Sequence, residues 1–156
     1  MRTADLIDDH AAQLTLVHLP FRRFGKRTHL AGPVQTVKCF EDNSVVKAVL
    51  SQPGAGRILV VDGGGSTRTA LVGDQVAGLA IQNDWGGLVI NGVIRDSADI
   101  NEMDILLFAL GTSPVKSAKA FGEEAVLISI GGAVIAPGDW IYGDADGVLH
   151  SADKLI

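Results

Sequence analysis

RILVVDGGGSTRTALVGDQVAGLAIQNDWGGLVINGVIRD, residues 57–96, contains two short apolar runs separated by a segment of helical periodicity. The first run, 57–62, is rich in β-branched residues and ends in three glycines, as a buried strand does where it enters a loop. Apolar residues in 74–85 recur at helical spacing, which predicts a helix that starts near Gly73. The second run, 87–91, is again bounded by glycines. The stretch therefore predicts a parallel βαβ unit.

This unit is expected to bring two polar segments together. The crossover of a βαβ unit returns the chain to the same edge of the sheet, and ligands collect there, at the carboxyl ends of the parallel strands. The loop 92–97 is therefore expected beside the loop 63–73. Unpaired backbone amides at the start of the helix favour an anion. These amides belong to Gly73, Asp74, Gln75 and Val76.

Arg95 and Asp96, which follow the second strand, supply the charges of the predicted cavity. The guanidinium fork suits a carboxylate, and a carboxylate oxygen suits a divalent cation such as Mg²⁺. A second interpretation stays open. Asp74 in the first helical turn is favourable through the helix dipole alone, and Arg95 beside Asp96 also describes an ordinary solvated ion pair. The spacing is compatible both with a site for an anion and a metal and with ordinary charged residues on the surface.

Composition predicts a globular chain with one core. Its 156 residues are 47% hydrophobic, which favours a single domain over 1–156. Thirteen basic and eighteen acidic residues give a net charge of −5, so direct binding of nucleic acid is not expected. The densest basic cluster, 22–27, is interpreted as a solvated loop or a subunit contact.

The amino terminus and the cysteine content favour a cytoplasmic protein without a membrane association. The first residues lack the apolar core of a signal peptide, and no run approaches the roughly 18 apolar residues of a membrane helix. Cys39 is the only cysteine, so it cannot form an internal disulfide and is expected to pack as a small apolar residue.

Outside the βαβ unit, the pattern predicts a few helices and many short strands. The helices are expected over 4–12, capped by Thr3, over 44–51, capped by Asp42 or Asn43, and over 97–103; the strands over 34–40, 105–109, 125–130, 133–135 and 148–150. The acidic segment 139–146 is assigned to turns. Together these elements indicate a compact α/β sandwich of mixed sheets.

Other motifs lack the spacing of a catalytic or cofactor site. The segment 60–65, VVDGGG, does not continue into the Gly-x-Gly-x-x-Gly pattern of nucleotide and S-adenosylmethionine binders. The four histidines are scattered without a zinc-binding spacing and are interpreted as surface or packing residues. Lys116 and Lys119 lie outside the predicted site segments, which disfavours Schiff-base chemistry.

Four segments, in order, resemble one known family. They are 32–43 (GPVQTVKCFEDN), 60–66 (VVDGGGS), 70–74 (ALVGD) and 92–96 (GVIRD). Together they resemble the family that joins regulators of ribonuclease E activity with 4-hydroxy-4-methyl-2-oxoglutarate aldolases. The likeness extends through the turn at 137–139.

The resemblance implies a swivelling β/β/α sandwich, assembled as a homotrimer with active sites near subunit boundaries. In the aldolase members, the segment matching Gly73 to Val76 binds pyruvate through backbone amides, the position of Arg95 contacts substrate, and the position of Asp96 ligates the metal. This chain has all of these residues, whereas the ribonuclease regulators can lack the aspartate and the Gly-Asp helix start. Longer aldolases add an acidic residue from a carboxyl-terminal extension, so the identity of a second acid here stays open.

The leading hypothesis is a class II aldolase that uses Mg²⁺ or Mn²⁺ to cleave 4-hydroxy-4-methyl-2-oxoglutarate, or a similar 4-hydroxy-2-oxo acid, to pyruvate. Decarboxylation of oxaloacetate passes through the same pyruvate enolate and is expected as a secondary activity. Asp96 would hold the cation, Arg95 would stabilise the enolate, and Asp74 would orient water or move the 4-hydroxyl proton. Inhibition of a ribonuclease E-type partner is the second hypothesis, and methyl transfer from S-adenosylmethionine is a distant third.

Overall fold

The computed structural model describes residues 1–118 and 122–156, which form four α-helices, one short 3₁₀ turn (Ala11–Gln13) and fourteen strands. The helices are α1 (Thr3–His10), α2 (Ser44–Leu50), α3 (Asp74–Gln82) and α4 (Ser97–Asn101). The strands are β1 (Thr15–Leu16), β2 (Arg22–Phe24), β3 (Leu30–Lys38), β4 (Ile58–Asp62), β5 (Ala70–Val72), β6 (Gly87–Asn91), β7 (Val93–Ile94), β8 (Leu107–Ala109), β9 (Gly111–Thr112), β10 (Glu123–Glu124), β11 (Ile128–Ile130), β12 (Ala133–Ile135), β13 (Trp140–Gly143) and β14 (Val148–Ser151).

The predicted βαβ unit is confirmed and forms the centre of the main sheet. Strands β4 and β6 pair in parallel, with Val60 opposite Val89, and α3 lies between them in sequence. The parallel centre continues to β3 on one side and β8 on the other, while β13, β14, β1 and β2 add antiparallel strands outside it. The sheet is therefore mixed, as expected.

Burial on both faces explains the continuous apolar sequence of β4. Leu59 and Val61 pack in one cluster with α2 and α3, whereas Ile58 and Val60 pack in a second cluster with the hairpin β11–β12. Because successive side chains of a strand point to opposite faces, a strand covered on both sides is apolar at nearly every position. Helices on one face and strands on the other give the expected β/β/α sandwich.

A small parallel sheet, β5–β7–β9, carries the predicted functional segments. Strand β7 begins two residues after β6 ends, and β9 begins two residues after β8 ends. The chain thus passes from central strands directly into this second sheet. The sequence patterns missed all three strands, because two or three residues are too few to establish an alternation of apolar and polar positions.

Several predicted boundaries and assignments are corrected by the structure. Strand β3 starts at Leu30 rather than at 34 and ends at Lys38. Residues 22–24 of the basic cluster form an edge strand, not a loop. The segment 139–146 contains β13, which pairs with β14 and β3, so turns account only for its ends. Aspartates and glycines flanking β13 concealed its short apolar run.

The predicted helix caps are also revised. Asn43 is the residue before α2, but Asp42 supplies the cap, since its carboxylate accepts hydrogen bonds from the amide and the hydroxyl of Ser44 at 2.8 and 2.6 Å. Asn43 instead donates from Nδ2 to the Leu71 carbonyl at 3.0 Å. Thr3 is not a cap; it lies inside α1. None of the helices in the described part of the chain is long and apolar enough for a bilayer crossing.

Hydrogen bonds link the start of α1 to Asp144, the residue that follows β13. Its buried carboxylate accepts hydrogen bonds from the amide and hydroxyl of Thr3 at 2.7 and 2.6 Å and from the amide of Asp146 at 2.9 Å. Burial alone would raise the pKa of Asp144, but these hydrogen bonds outweigh it, and the pKa lies below its ordinary value. Its ionised form therefore stabilises the fold above the unfolded-state pKa of about 3.9, and this contribution is lost as the pH falls through the folded-state pKa.

Asp144→Asn is accordingly expected to lower the free energy of unfolding by about 2 kcal/mol at neutral pH, because a charged acceptor of three hydrogen bonds is lost. The difference from the unmodified protein should shrink as the pH falls below the unfolded-state pKa of about 3.9. Urea unfolding at a series of pH values measures both. Asp9→Asn, at an exposed position of α1, is the matched control, and an equal destabilisation by Asp144→Asn at acidic and neutral pH would contradict the assignment.

Candidate active site

The start of α3 and the end of β7 meet at one point. The Arg95 amide donates a hydrogen bond to the Val72 carbonyl at 2.9 Å, which joins the end of β7 to the end of β5. Gly73 follows Val72 in an extended conformation, and α3 begins at Asp74. The small sheet thus places Arg95 and Asp96 beside the first turn of α3, in the proximity that the crossover predicts.

Asp96 occupies an unusual backbone conformation. Its φ and ψ angles are 57° and 38°, in the left-handed region that few residues other than glycine adopt. Its carbonyl accepts the Ile100 amide at 3.0 Å, and its Oδ2 atom accepts the Asp74 amide at 3.1 Å. Among the described residues, none donates a hydrogen bond to Oδ1 of this exposed side chain. Backbone outliers of this kind cluster at functional sites.

The amides of the first turn of α3 are already partly engaged. Asp74 donates to Asp96, and the Gln75 amide donates to Oδ1 of Asp74 at 2.8 Å. Within residues 1–118 and 122–156, the Val76 amide has no acceptor. Fewer amides of the segment Gly73 to Val76 are therefore free to bind an anion than the sequence predicts, because the amides of Asp74 and Gln75 donate to carboxylates of the chain itself.

A cavity of about 240 Å³ lies over this junction. All six predicted site residues line it, together with five that the sequence patterns did not identify. The lining consists of Asn43, Lys47, Ala70, Gly73, Asp74, Gln75, Val76, Arg95, Asp96, Lys116 and Ser117. Its polar groups come from α2, the first turn of α3, the end of β7 and the segment after β9.

Three cations face this cavity without an ion-pair partner in the described chain. They are Lys47 and Lys116, both exposed, and the half-buried Arg95. Two carboxylates, of Asp74 and Asp96, share the same walls. An excess of positive charge in a concave surface raises the local concentration of anions. The cavity therefore suits an anionic ligand.

Lys116 lies outside the predicted site segments in sequence, but it lines the cavity. The Ala70 amide donates to the Val115 carbonyl at 2.9 Å, and the Ser117 hydroxyl donates to the Ala70 carbonyl at 2.6 Å. These bonds hold the segment along β5 and bring Lys116 to the cavity wall. Lys119 lies outside the described residues. The sequence offers no periodic signal here, because the contact is made by an irregular segment far from β5 in sequence.

The family is decided by comparison with known proteins. A profile of the RraA-like family, described as Aldolase/RraA, matches residues 3–150. The chain belongs to this family. An Alkalilimnicola ehrlichii protein named "Putative 4-hydroxy-4-methyl-2-oxoglutarate aldolase" is 48% identical over 155 residues, which cover 99% of this chain and 96% of that protein. A Laribacter hongkongensis protein of the same name is 47% identical over 155 residues, with 99% and 98% coverage.

Two solved structures share this RraA-like fold over almost their whole length. A Geobacillus kaustophilus protein described as S-adenosylmethionine:2-dimethylmenaquinone methyltransferase has a TM-score of 0.97 and 44% identity, covering 99% of this chain and 97% of that one. The RNA-processing inhibitor RraA of Thermus thermophilus has a TM-score of 0.95 and 40% identity, covering 100% and 95%. The relatives and solved structures thus carry names for three different functions: an aldolase, a methyltransferase and an inhibitor of RNA processing.

The glycine-rich loop of this RraA-like chain does not favour a dinucleotide or S-adenosylmethionine site. The amides of Gly63 and Gly65 donate to the Asn91 carbonyl at 3.0 and 3.1 Å, and the Gly64 amide donates to Oδ1 of Asp62 at 3.0 Å. A cofactor-binding loop presents such donors to a ligand. Here the three amides donate to Asn91 and Asp62 of the chain itself, so they are not presented to a ligand.

Cys39 behaves as expected for a packing residue. It is buried in the cluster beneath α2, and burial, with the nearby charges of Asp42 and Asp62, raises the pKa of its thiol to about 12. The thiolate is the nucleophilic form of cysteine. At neutral pH this thiol is therefore unsuited to nucleophilic catalysis.

The donor set of the cavity fits a divalent cation of the magnesium type. Asp96 presents a hard carboxylate oxygen that accepts no hydrogen bond from the described residues, and Asp74 adds a second carboxylate on the same wall. No group of three or more potential ligands among His, Cys, Asp and Glu occurs in 1–118 and 122–156. Mg²⁺ is commonly held by one or two carboxylates, with water and substrate oxygens completing its shell. The residues present meet that requirement.

Proposed function

We propose that this protein is a divalent-metal-dependent aldolase that cleaves 4-hydroxy-4-methyl-2-oxoglutarate, or a similar 4-hydroxy-2-oxo acid, to pyruvate. Oxaloacetate decarboxylation is its secondary activity. One observation carries the proposal: Arg95, Lys47 and Lys116, which have no ion-pair partner among the described residues, line the same cavity as the Asp96 carboxylate. The names of the relatives at 47% and 48% identity support the aldolase class.

Arg95 and the Val76 amide bind the end of the substrate that becomes pyruvate. The guanidinium donates two parallel hydrogen bonds to a carboxylate, and the Val76 amide, which has no acceptor among the described residues, adds a donor at the positive end of the α3 dipole. Lys47 and Lys116 bind the second carboxylate of the diacid. This assignment uses each cation of the cavity once and explains why none has a partner within the described chain.

The reaction breaks the bond between C3 and C4 of the substrate. The 4-hydroxyl gives up its proton, C4 becomes a carbonyl, and the electron pair of the broken bond passes to the pyruvate enolate, which is then protonated at C3. Asp74 accepts the hydroxyl proton, directly or through water; in support of this role, the Gln75 amide engages its Oδ1, and no donor among the described residues engages its Oδ2. Oxaloacetate loses carbon dioxide by cleavage of the corresponding bond to give the same enolate.

Charge develops on the 2-oxo oxygen as this bond breaks, and the site stabilises it. Arg95 lines the cavity beside Asp96 and offers a fixed positive charge to that oxygen. Mg²⁺ or Mn²⁺ held by Asp96 would supply electrophilic stabilisation of the same charge. The backbone bonds at Val72 and Ile100 keep Arg95 and Asp96 in place, so little reorganisation is needed during the reaction.

The test is pyruvate formation from purified protein. With 4-hydroxy-4-methyl-2-oxoglutarate and Mg²⁺ or Mn²⁺, a lactate dehydrogenase-coupled assay should report two pyruvate molecules for each substrate consumed, and one for each oxaloacetate. A chelator should stop both reactions, and an excess of the cation should restore them. Failure to form pyruvate from either compound with either cation would refute the proposal.

Lys47→Ala and Lys116→Ala are each expected to raise the KM for the diacid about tenfold, or about 1.4 kcal/mol, through loss of one charged hydrogen bond. The inhibition constant of pyruvate, which has a single carboxylate, should stay within about twofold because its site is at Arg95. Lys26→Ala, at an exposed position away from the cavity, is the control. An unchanged KM in both variants would remove these lysines from the substrate site.

A protein-binding function is the second candidate, and the 40% identity with the RNA-processing inhibitor RraA favours it. As such a regulator, the protein would bind a ribonuclease E-type enzyme and slow RNA cleavage without a cation. A pull-down with that enzyme and an RNA cleavage assay in the presence of chelator test this role. Inhibition that persists in an Asp96→Ala variant would separate it from the lyase activity.

We also propose a cytoplasmic homotrimer. Large apolar side chains on the surface support self-association: Phe40 and Leu127 are each 63% exposed. Aromatic side chains such as that of Phe40 are enriched in protein interfaces.

A further inference from the structure

Gly73 lies where a side chain would collide with the proposed metal ligand. A Cβ atom built on Gly73 would be 2.7 Å from Oδ2 of Asp96, closer than real Cβ contacts allow. The next nearest atoms are Cγ and Nε of Arg95, at 3.6 and 3.7 Å, which are ordinary contacts. Because φ of Gly73 is −115°, the backbone does not require glycine here. Position 73 instead lacks a side chain because the Asp96 carboxylate occupies the space that a Cβ atom would fill.

The carboxylate is held in that space by two features. Its Oδ2 atom accepts the Asp74 amide at 3.1 Å, and the left-handed backbone of Asp96 fixes where the short side chain starts. A methyl group on Gly73 would push Oδ2 off the amide. Oδ1 of the same carboxylate would move with it.

We propose that Gly73 is a positioning residue for Asp96: the absence of a side chain lets the Asp96 carboxylate bond to the Asp74 amide and so sets the direction of its other oxygen. The consequence for a bound cation rests on the proposed function. The packing relation between Gly73 and Asp96 does not. The two parts are therefore tested separately.

A cycle of thermal unfolding measurements tests the packing relation. Gly73→Ala should lower Tm by several degrees, because the hydrogen bond between the Asp74 amide and Asp96 is lost. In an Asp96→Ala background, the same change should have little effect, because the atom it strikes is gone. Gly78→Ala, in the same helix with only Met103 Cε within contact range at 3.9 Å, is the control and should not lower Tm. Additive changes in Tm would overturn the positioning role.

Titration with Mn²⁺, followed by the paramagnetic resonance signal of the free ion, tests the consequence for the cation. Gly73→Ala should weaken binding about tenfold to a hundredfold, the usual effect of losing a contact that orients a metal ligand, whereas Gly78→Ala should bind as the unmodified protein does. Equal Mn²⁺ affinity in Gly73→Ala and the unmodified protein would overturn the positioning role. If the unmodified protein binds no Mn²⁺, the metal assignment fails, and the unfolding cycle still decides the relation between Gly73 and Asp96.

Discussion

Asp96→Ala is expected to reduce pyruvate formation about a thousandfold, because a metal ligand contributes several kcal/mol to stabilising charge in the transition state and each 1.36 kcal/mol changes the rate about tenfold. Added Mg²⁺ or Mn²⁺ should not restore the rate, since the carboxylate oxygen is removed. Loss of the hydrogen bond from the Asp74 amide should also lower the free energy of unfolding by about 1 kcal/mol, as for other helix caps. Steady-state kinetics and urea unfolding measure the two effects.

Asp96→Asn separates catalysis from stability. The amide side chain keeps an oxygen for the Asp74 amide and is tolerated in the left-handed conformation, so the fold should be nearly as stable as that of the unmodified protein. Its missing charge should still remove most of the activity. Asp99→Ala, at an exposed position in the first turn of α4, should leave the rate within about twofold. A fully active Asp96→Asn variant would show that the carboxylate does not hold a catalytic cation.

The part of the site that lies within one βαβ unit was accessible from the sequence. The apolar runs 57–62 and 87–91 and the helical spacing after Gly73 are local patterns, and the handed crossover then places Arg95 and Asp96 beside the helix start. Nothing beyond these rules is needed to predict that proximity. The resemblance to aldolases added roles for the residues, not their position.

The remaining features depend on contacts between distant segments. Lys116 reaches the cavity through hydrogen bonds of its neighbours to Ala70, and Lys47 reaches it because α2 packs near α3. No local period encodes either contact. The left-handed backbone of Asp96 was equally hidden, since an aspartate after a strand is compatible with several conformations. The bond from the Asp74 amide to Asp96 depends on that geometry and could not be predicted from the sequence.

Arg95 is expected to show the second large effect. Arg95→Ala should lower kcat/KM by about a hundredfold to a thousandfold, the range found when one donor to a developing oxyanion is removed. Arg95→Lys should recover only a small part, because a lysine ammonium cannot give two parallel hydrogen bonds to a carboxylate. Binding of pyruvate should weaken in both variants, which distinguishes Arg95 from Lys47 and Lys116.

Arg23→Lys is the matched control, since Arg23 is exposed on the edge strand β2 and does not line the cavity. It should retain the full kcat/KM.

For Arg95 itself, the separate effects on kcat and KM distinguish two roles. If its guanidinium only binds the ground-state carboxylate, KM rises and kcat stays constant, whereas stabilisation of the charge that develops on the 2-oxo oxygen lowers kcat as well. The position of Arg95 beside Asp96, at the end of β7 that is bonded to β5, leads us to expect the second pattern. An Arg95→Lys variant with unchanged kcat/KM for both the diacid and oxaloacetate would contradict a role for the guanidinium fork.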